Sequence, residues 1–190
     1  MRLIILLLLV SFTIQAQDFR KVKVTIGFGY TSLKSNYNSS NGEIQNLIFL
    51  EPAYRINKRL LVAIRLEHVG NILLSNGLSI SSYGINGQYY FSNKILRPFA
   101  GIGLSLYHPI LSGGFYSYNS RLEETVFGFY PRVGFDYGHF CMMVEMNIVS
   151  QSNAKISSPA PLQLPLIDGA LSCNYFSLKM GISIGGGRKK

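Results

Sequence analysis

The residues with the clearest chemical potential lie around position 140. His139, Cys141 and Glu145 set an imidazole, a thiol and a carboxylate at odd positions of one short run. Such a trio could serve a lipid-modifying enzyme if the base stood within hydrogen-bond reach of the nucleophile. In an extended strand, side chains at i and i+2 stand about 7 Å apart. The run therefore reads as a packed small residue beside a rim histidine. His68 and His108 are far apart in the chain, and no Cys/His spacing fits zinc. There is no glycine-rich phosphate loop. No catalytic residue, metal or cofactor is assigned, and the chain reads as a non-enzyme.

A second chemistry is ionic, and it has a pattern. From Leu47 to Val69 the chain spells LIFLEPAYRINKRLLVAIRLEHV. Two strands of about ten residues joined by a tight turn at Asn57-Lys58 would put Ile48, Leu50, Tyr54 and Ile56 on the same apolar face as Leu60, Val62, Ile64 and Leu66. The other face carries Glu51, Arg55, Arg65 and Glu67. With Ile56 paired to Leu60, Glu51 falls opposite Arg65. Strands of this length, apolar on one face and charged on the other, suit a membrane β-barrel, where lipid is outside and the charges are inside.

The rest of the chain repeats the alternation. Further strands are expected at Lys21–Thr31, Ser79–Phe91, Arg97–Tyr107, Glu124–Asp136, His139–Val149 and Cys173–Ile184, which with the central pair makes eight. Connections alternate long and short, the asymmetry of outer-membrane barrels with short periplasmic turns and longer external loops. The expected fold is thus all-β: an eight-stranded antiparallel up-and-down transmembrane β-barrel with both termini in the periplasm. Pro98 falls at the first positions of its strand, where a missing N–H is tolerated. Pro131 interrupts the sixth strand, and a bulge is expected there.

Residues 1–16 read as a secretory signal peptide, with Arg2, an apolar run from Leu3 to Val10 and a small residue at Ala16. Residues 17–190 form the barrel domain. Charged residues make up only 14% of the chain, below the roughly 25% of a soluble domain, as a lipid-facing exterior requires. The two cysteines, Cys141 and Cys173, fall near opposite ends of neighbouring strands and are expected to be free thiols.

The topology also sorts the charges. The formal net charge of +9 gathers at the short-turn rim, with Arg20, Lys21, Lys58, Arg59, Lys94, Arg97 and Arg188 to Lys190 against Asp18. A positive belt there suits anionic lipid headgroups at about 1 kcal/mol per residue. It excludes nucleic acid as the partner, since the chain is exported and has no basic helix. Lys23, Glu51, Arg55, Arg65, Glu67, Arg132, Asp136, Glu145 and Lys179 fall inside. They are expected to form an ion-pair network centred on Glu51–Arg65, with Arg132 meeting Glu145 across strands six and seven. An eight-stranded bore is just filled by side chains, so large solutes are excluded. The network reads either as a plug or as the gate of a narrow channel.

The last external loop differs from its polar setting. Pro159, Pro161, Leu162, Leu164, Pro165, Leu166 and Ile167 make it apolar and proline-stiffened. With Tyr116 and Tyr118 it could dock a protein partner, as aromatic anchors do, or fold back over the barrel mouth.

The segment GQYYFSNKILRPFAGIGLSLY and the ending NYFSLKMGISIGGGRKK resemble the small OmpA/OmpX-type outer-membrane β-barrel domain proteins, in particular those of Bacteroidetes. The resemblance implies insertion by the barrel-assembly machinery, which reads the last strand, here Tyr175–Ile184. The chain departs from the pattern by ending Arg188-Lys189-Lys190, where many outer-membrane proteins finish on an aromatic residue. The reading that follows is a non-enzymatic integral outer-membrane protein acting structurally or through its external loops. The alternatives are a lipid-modifying enzyme and a narrow gated channel.

Overall fold

The computed structural model describes residues 20–33, 43–70, 77–112, 125–150 and 174–186. The expected signal peptide, Cys173 and the loop residues from Tyr116 to Tyr118 and Pro159 to Ile167 lie outside these. Eight strands follow one another: β1 Val22–Leu33, β2 Glu43–Arg55, β3 Leu60–Val69, β4 Gly77–Tyr90, β5 Leu96–Ser112, β6 Val126–Tyr137, β7 Phe140–Val149 and β8 Tyr175–Gly185. Each pairs antiparallel with the next, and β8 closes on β1 from Leu33↔Tyr175 to Lys23↔Gly185. Closure leaves no strand edge unpaired, which is the condition for a sheet to stand in hydrocarbon.

Local chemistry fixes the register. Ile56 N–H donates to the Leu60 carbonyl at 3.0 Å, and the Asn57 Oδ1 accepts from the backbone N–H groups of Arg59 and Leu60, each at 2.8 Å. That turn sets Leu50↔Leu66 and Ala53↔Ala63, the pairing that Ile56↔Leu60 demands. At the far hairpin Gly138 takes φ +60°, the left-handed region that favours glycine, and Tyr137 pairs with Phe140. The turn is therefore Gly138-His139 rather than Tyr137-Gly138, and His139 is outside β7.

Three differences from the sequence expectation have physical causes. β5 continues through Ser112 instead of stopping at Tyr107, because His108 and Pro109 pair with Ser81 and Ile80 of a longer β4. β2 likewise begins at Glu43, opposite Leu33. Pro131 produces no bulge. Pairing with β7 lapses beside it and resumes at Arg132↔Glu145 in the same register, while the β5 side runs unbroken through Ile102↔Pro131. The missing donor faces one neighbour only, so one local gap suffices.

Inward and outward positions alternate throughout. The outer surface is a field of exposed apolar side chains such as Ile26, Ile64, Ile102 and Phe176. Apart from two histidines, His68 and His108, no outward-facing strand residue can carry a positive charge, and none is acidic. Polar and charged residues are buried within.

Candidate functional site

All nine ionisable residues expected in the lumen are buried there, from Lys23, Glu51 and Arg55 through Arg65, Glu67, Arg132 and Asp136 to Glu145 and Lys179. Their heads form a stack along the barrel axis.

At the short-turn end Asp136 accepts from Lys23 Nζ at 2.8 Å, from Tyr90 Oη at 2.9 Å and from Arg97 Nη2 at 3.2 Å. Arg97 also donates to the Gly186 carbonyl at 3.0 Å. The Arg55 guanidinium lies 4.9 Å from the centre of the Tyr90 ring. In the middle, Arg132 Nη1 donates to Glu51 at 2.7 Å, and Gln88 donates to the other oxygen of Glu51 at 2.8 Å. Above them Arg65 donates to Glu145 at 2.7 Å, to Asn147 at 3.1 Å and to Tyr107 at 3.1 Å, with its guanidinium 3.5 Å from the centre of the Tyr130 ring. Lys179 bridges Glu67 and Glu145. Tyr175 donates to Glu67 at 2.7 Å. Arg132 and Glu145, register partners on β6 and β7, close at 3.2 Å and tie the middle tier to the upper one.

Two expectations are corrected. Glu51 does not pair with Arg65, although the register sets them on facing positions of β2 and β3. Inward side chains converge on the axis, so each long head meets the opposite wall: Arg65 reaches β7 and Glu51 meets Arg132 of β6. Arg97, assigned from sequence to the rim, turns inward to Asp136 and is buried. Arg20, Lys21, Arg59 and Lys94 are exposed at the short-turn end, as the rim assignment has them.

Sequence reading did not single out the tyrosines as network members. Tyr90, Tyr107, Tyr130 and Tyr175 are all buried, and their hydroxyls fill hydrogen-bonding positions between the ions. Their inward parity was the available signal. Glycines make room for them. A Cβ on Gly103 would lie 2.2 Å from Tyr130 Cζ, so the bare backbone of β5 accommodates the ring from β6. The long-loop end of the lumen also holds apolar residues, with Leu47, Val69, Ile80, Val126 and Val149 buried there beside Thr31 and Gln45. Apolar neighbours lower the local dielectric, which strengthens each pair and raises the cost of leaving one unmade.

The candidate catalytic trio is not assembled. His139 sits in the turn with Nδ1 2.8 Å from the Ser183 carbonyl, while Cys141 is a free, buried thiol. No hydrogen bond joins the two among the described residues. His68 and His108, distant in sequence, prove to be neighbours of one residue. Both are register partners of Ser81 on the outer face. His68 Nδ1 lies 3.0 Å from Ser81 Oγ, and His108 Nδ1 lies 3.0 Å from Thr125 Oγ1.

An apolar exterior, an ionic interior and eight strands in closed meander order define a small membrane-type barrel with a filled bore. Solved structures agree in fold. The chain is similar to Neisserial surface protein A at 17% identity and TM-score 0.60, covering 86% of this chain and 96% of that one. It is similar to the outer membrane protein OprG of Pseudomonas aeruginosa at 15% identity and TM-score 0.53, over 90% of this chain and 99% of that one. The N-terminal barrel domain of OprF from the same organism aligns at 9% identity and TM-score 0.51, over 87% and 99%. These are small eight-stranded outer-membrane barrels of the OmpA/OmpX type. No family model and no curated protein matches the chain.

Proposed function

We propose that this chain is a non-enzymatic integral outer-membrane protein, exported by a signal peptide at residues 1–16, with its termini in the periplasm. Its barrel is a rigid plug whose external loops carry the interaction. The observation behind this is the lumen. Arg65–Glu145 and Arg132–Glu51 span the bore from wall to wall, and buried apolar residues lie above them. Such a bore holds the fold together and offers no path for a solute. The basic short-turn rim suits the anionic headgroups of the periplasmic leaflet, and the Pro159–Ile167 loop with Tyr116 and Tyr118 is the candidate docking patch for a protein partner.

Fractionation and planar-bilayer recording test this together. The protein should sediment with outer membranes, need detergent for extraction and give no conductance steps. Steps that change with Glu51→Gln or Glu145→Gln would make the lumen a gate, and release as a soluble protein would remove the reading altogether. Photocrosslinking from Leu164 in intact cells identifies the docking partner.

A further inference from the structure

The outer wall is not uniform. A cavity of about 880 Å³ opens on it between two successive rows of outward side chains. One row includes Ile26, Leu50 and Leu66, and the next includes Phe28, Ile48 and His68. The register makes each row continuous, Ile26↔Leu50↔Leu66 and Phe28↔Ile48↔His68. The rows lie two residues apart along each strand, about 7 Å, and cross neighbouring strands spaced about 4.8 Å. Between them the floor is the backbone of the inward-facing residues, Gly27 and Phe49 among them.

This trough runs across the strands, and because barrel strands tilt by 35–45° in general, it climbs the wall. It starts at Phe140, beside the short Gly138-His139 turn, and ends at His68, Ser81 and Tyr83 near the long-loop ends of β3 and β4. Its lining is apolar until that end, where the character changes. His68 and Ser81 are hydrogen-bonded to each other. His108 packs edge-on against Tyr83 with ring centres 5.8 Å apart. Each histidine uses Nδ1 within the protein, and neither Nε2 has a hydrogen bond among the described residues.

We propose that the trough holds one acyl chain of a phospholipid, with the phosphate-bearing headgroup against His68, Ser81 and His108. Shape and polarity together point to the occupant. A helix is about 10–12 Å across with its side chains, wider than the row spacing of about 7 Å. A single hydrocarbon chain with a polar head matches a trough that is apolar along its length and polar at one end, and each histidine–hydroxyl pair, His68 with Ser81 and His108 with Thr125, keeps one proton free to donate to a phosphate oxygen. The inference rests on the membrane reading above, since only a barrel in a bilayer meets a lipid on this face.

The test is lipid retention. Wild-type protein and variants are folded into dimyristoylphosphatidylglycerol vesicles, extracted in mild detergent, and examined by native mass spectrometry. The shift in gel mobility on heating is checked for each, so that insertion and folding are read separately from lipid binding. Wild type should retain one lipid. Ile26→Trp with Ile48→Trp, which crowds the trough, and His68→Ala with Ser81→Ala, which strips its end, should each lower retention roughly tenfold. Ile102→Trp on the β5 face should not. Equal retention in all variants, equal loss in the Ile102→Trp control, or a folded dimer in place of a lipid-bound monomer overturns the assignment. Failure of every variant and of wild type to insert would instead sink the membrane reading.

Discussion

Arg65 and Glu145 stand on β3 and β7, opposite walls of the barrel, and their heads meet at 2.7 Å. Glu145 also takes Lys179 and, at 3.2 Å, Arg132, so one carboxylate answers three buried cations. Glu145→Gln removes that charge with little change of shape and leaves the three facing only Glu51 and Glu67. Breaking a buried pair in this way costs about 3–5 kcal/mol. The urea midpoint of the vesicle-inserted barrel, followed by circular dichroism because the chain has no tryptophan, should fall accordingly. A change below about 1 kcal/mol would mean that water reaches the site and screens it.

Tyr130 and Gly103 give a second measurable contact. A methyl at Gly103 would lie 2.2 Å from Cζ and 2.5 Å from Oη of Tyr130, and that ring is pinned under the Arg65 guanidinium. Gly103→Ala should therefore cost about 1–3 kcal/mol, the range for overpacking. Gly87, where a Cβ meets nothing within 4 Å, serves as the control. Gly87→Ala should be tolerated, and if both substitutions behave alike, the tyrosine is not held.

How far the sequence reached follows from what alternation can encode. Parity along each strand identified the nine inward charges, and the turn at Asn57 fixed the β2–β3 register, because both are local. What meets what in the lumen is not local. Glu51 and Arg65 are cross-strand neighbours by counting, yet their long heads pass one another and find β6 and β7. Arg97 looked like a rim residue because it begins β5, and its inward turn depends on Asp136 of β6 being within reach. The extension of β5 to Ser112 was hidden by His108 and Pro109, which read as a loop until β4 supplies their partners. The His68–Ser81–His108 row depends on two registers at once, so no single segment reveals it.

Asn57 anchors the first short turn through two 2.8 Å bonds from the backbone N–H groups of Arg59 and Leu60. Asn57→Ala leaves both donors to solvent and should lower stability by about 1 kcal/mol. Asn57→Asp keeps the acceptor and should recover most of it. If alanine and aspartate give the same unfolding midpoint, the turn is set by the strands rather than by this side chain.

Cys141 lies inside the barrel with 1% of its surface exposed. In a Cys173→Ser background the folded protein should resist a maleimide reagent and react fully only in denaturant, since buried thiols are inert. Labelling of the folded barrel at the rate of a free thiol would show that reagent enters from the short-turn end, and the closed-plug reading would then need an opening between Asp136 and Arg97.

Ile64 tests the solvent outside the wall. It lies mid-strand on β3 beside Ile85 of β4, with 54% of its surface exposed. In water, a surface substitution at such a site is normally within about 0.5 kcal/mol of neutral, and replacing an exposed isoleucine with a charge would improve solubility. In hydrocarbon the same change is costly, about 2–4 kcal/mol for arginine near the bilayer midplane and falling toward zero at the interfaces. Ile64→Arg should therefore destabilise the vesicle-inserted barrel by that larger amount, whereas arginine at half-buried Ser81, nearer the long-loop end of β4, should cost less. A depth dependence of this kind has no counterpart in a protein surrounded by water, so equal and small effects at both positions would place this wall in solvent, whatever its fold resembles.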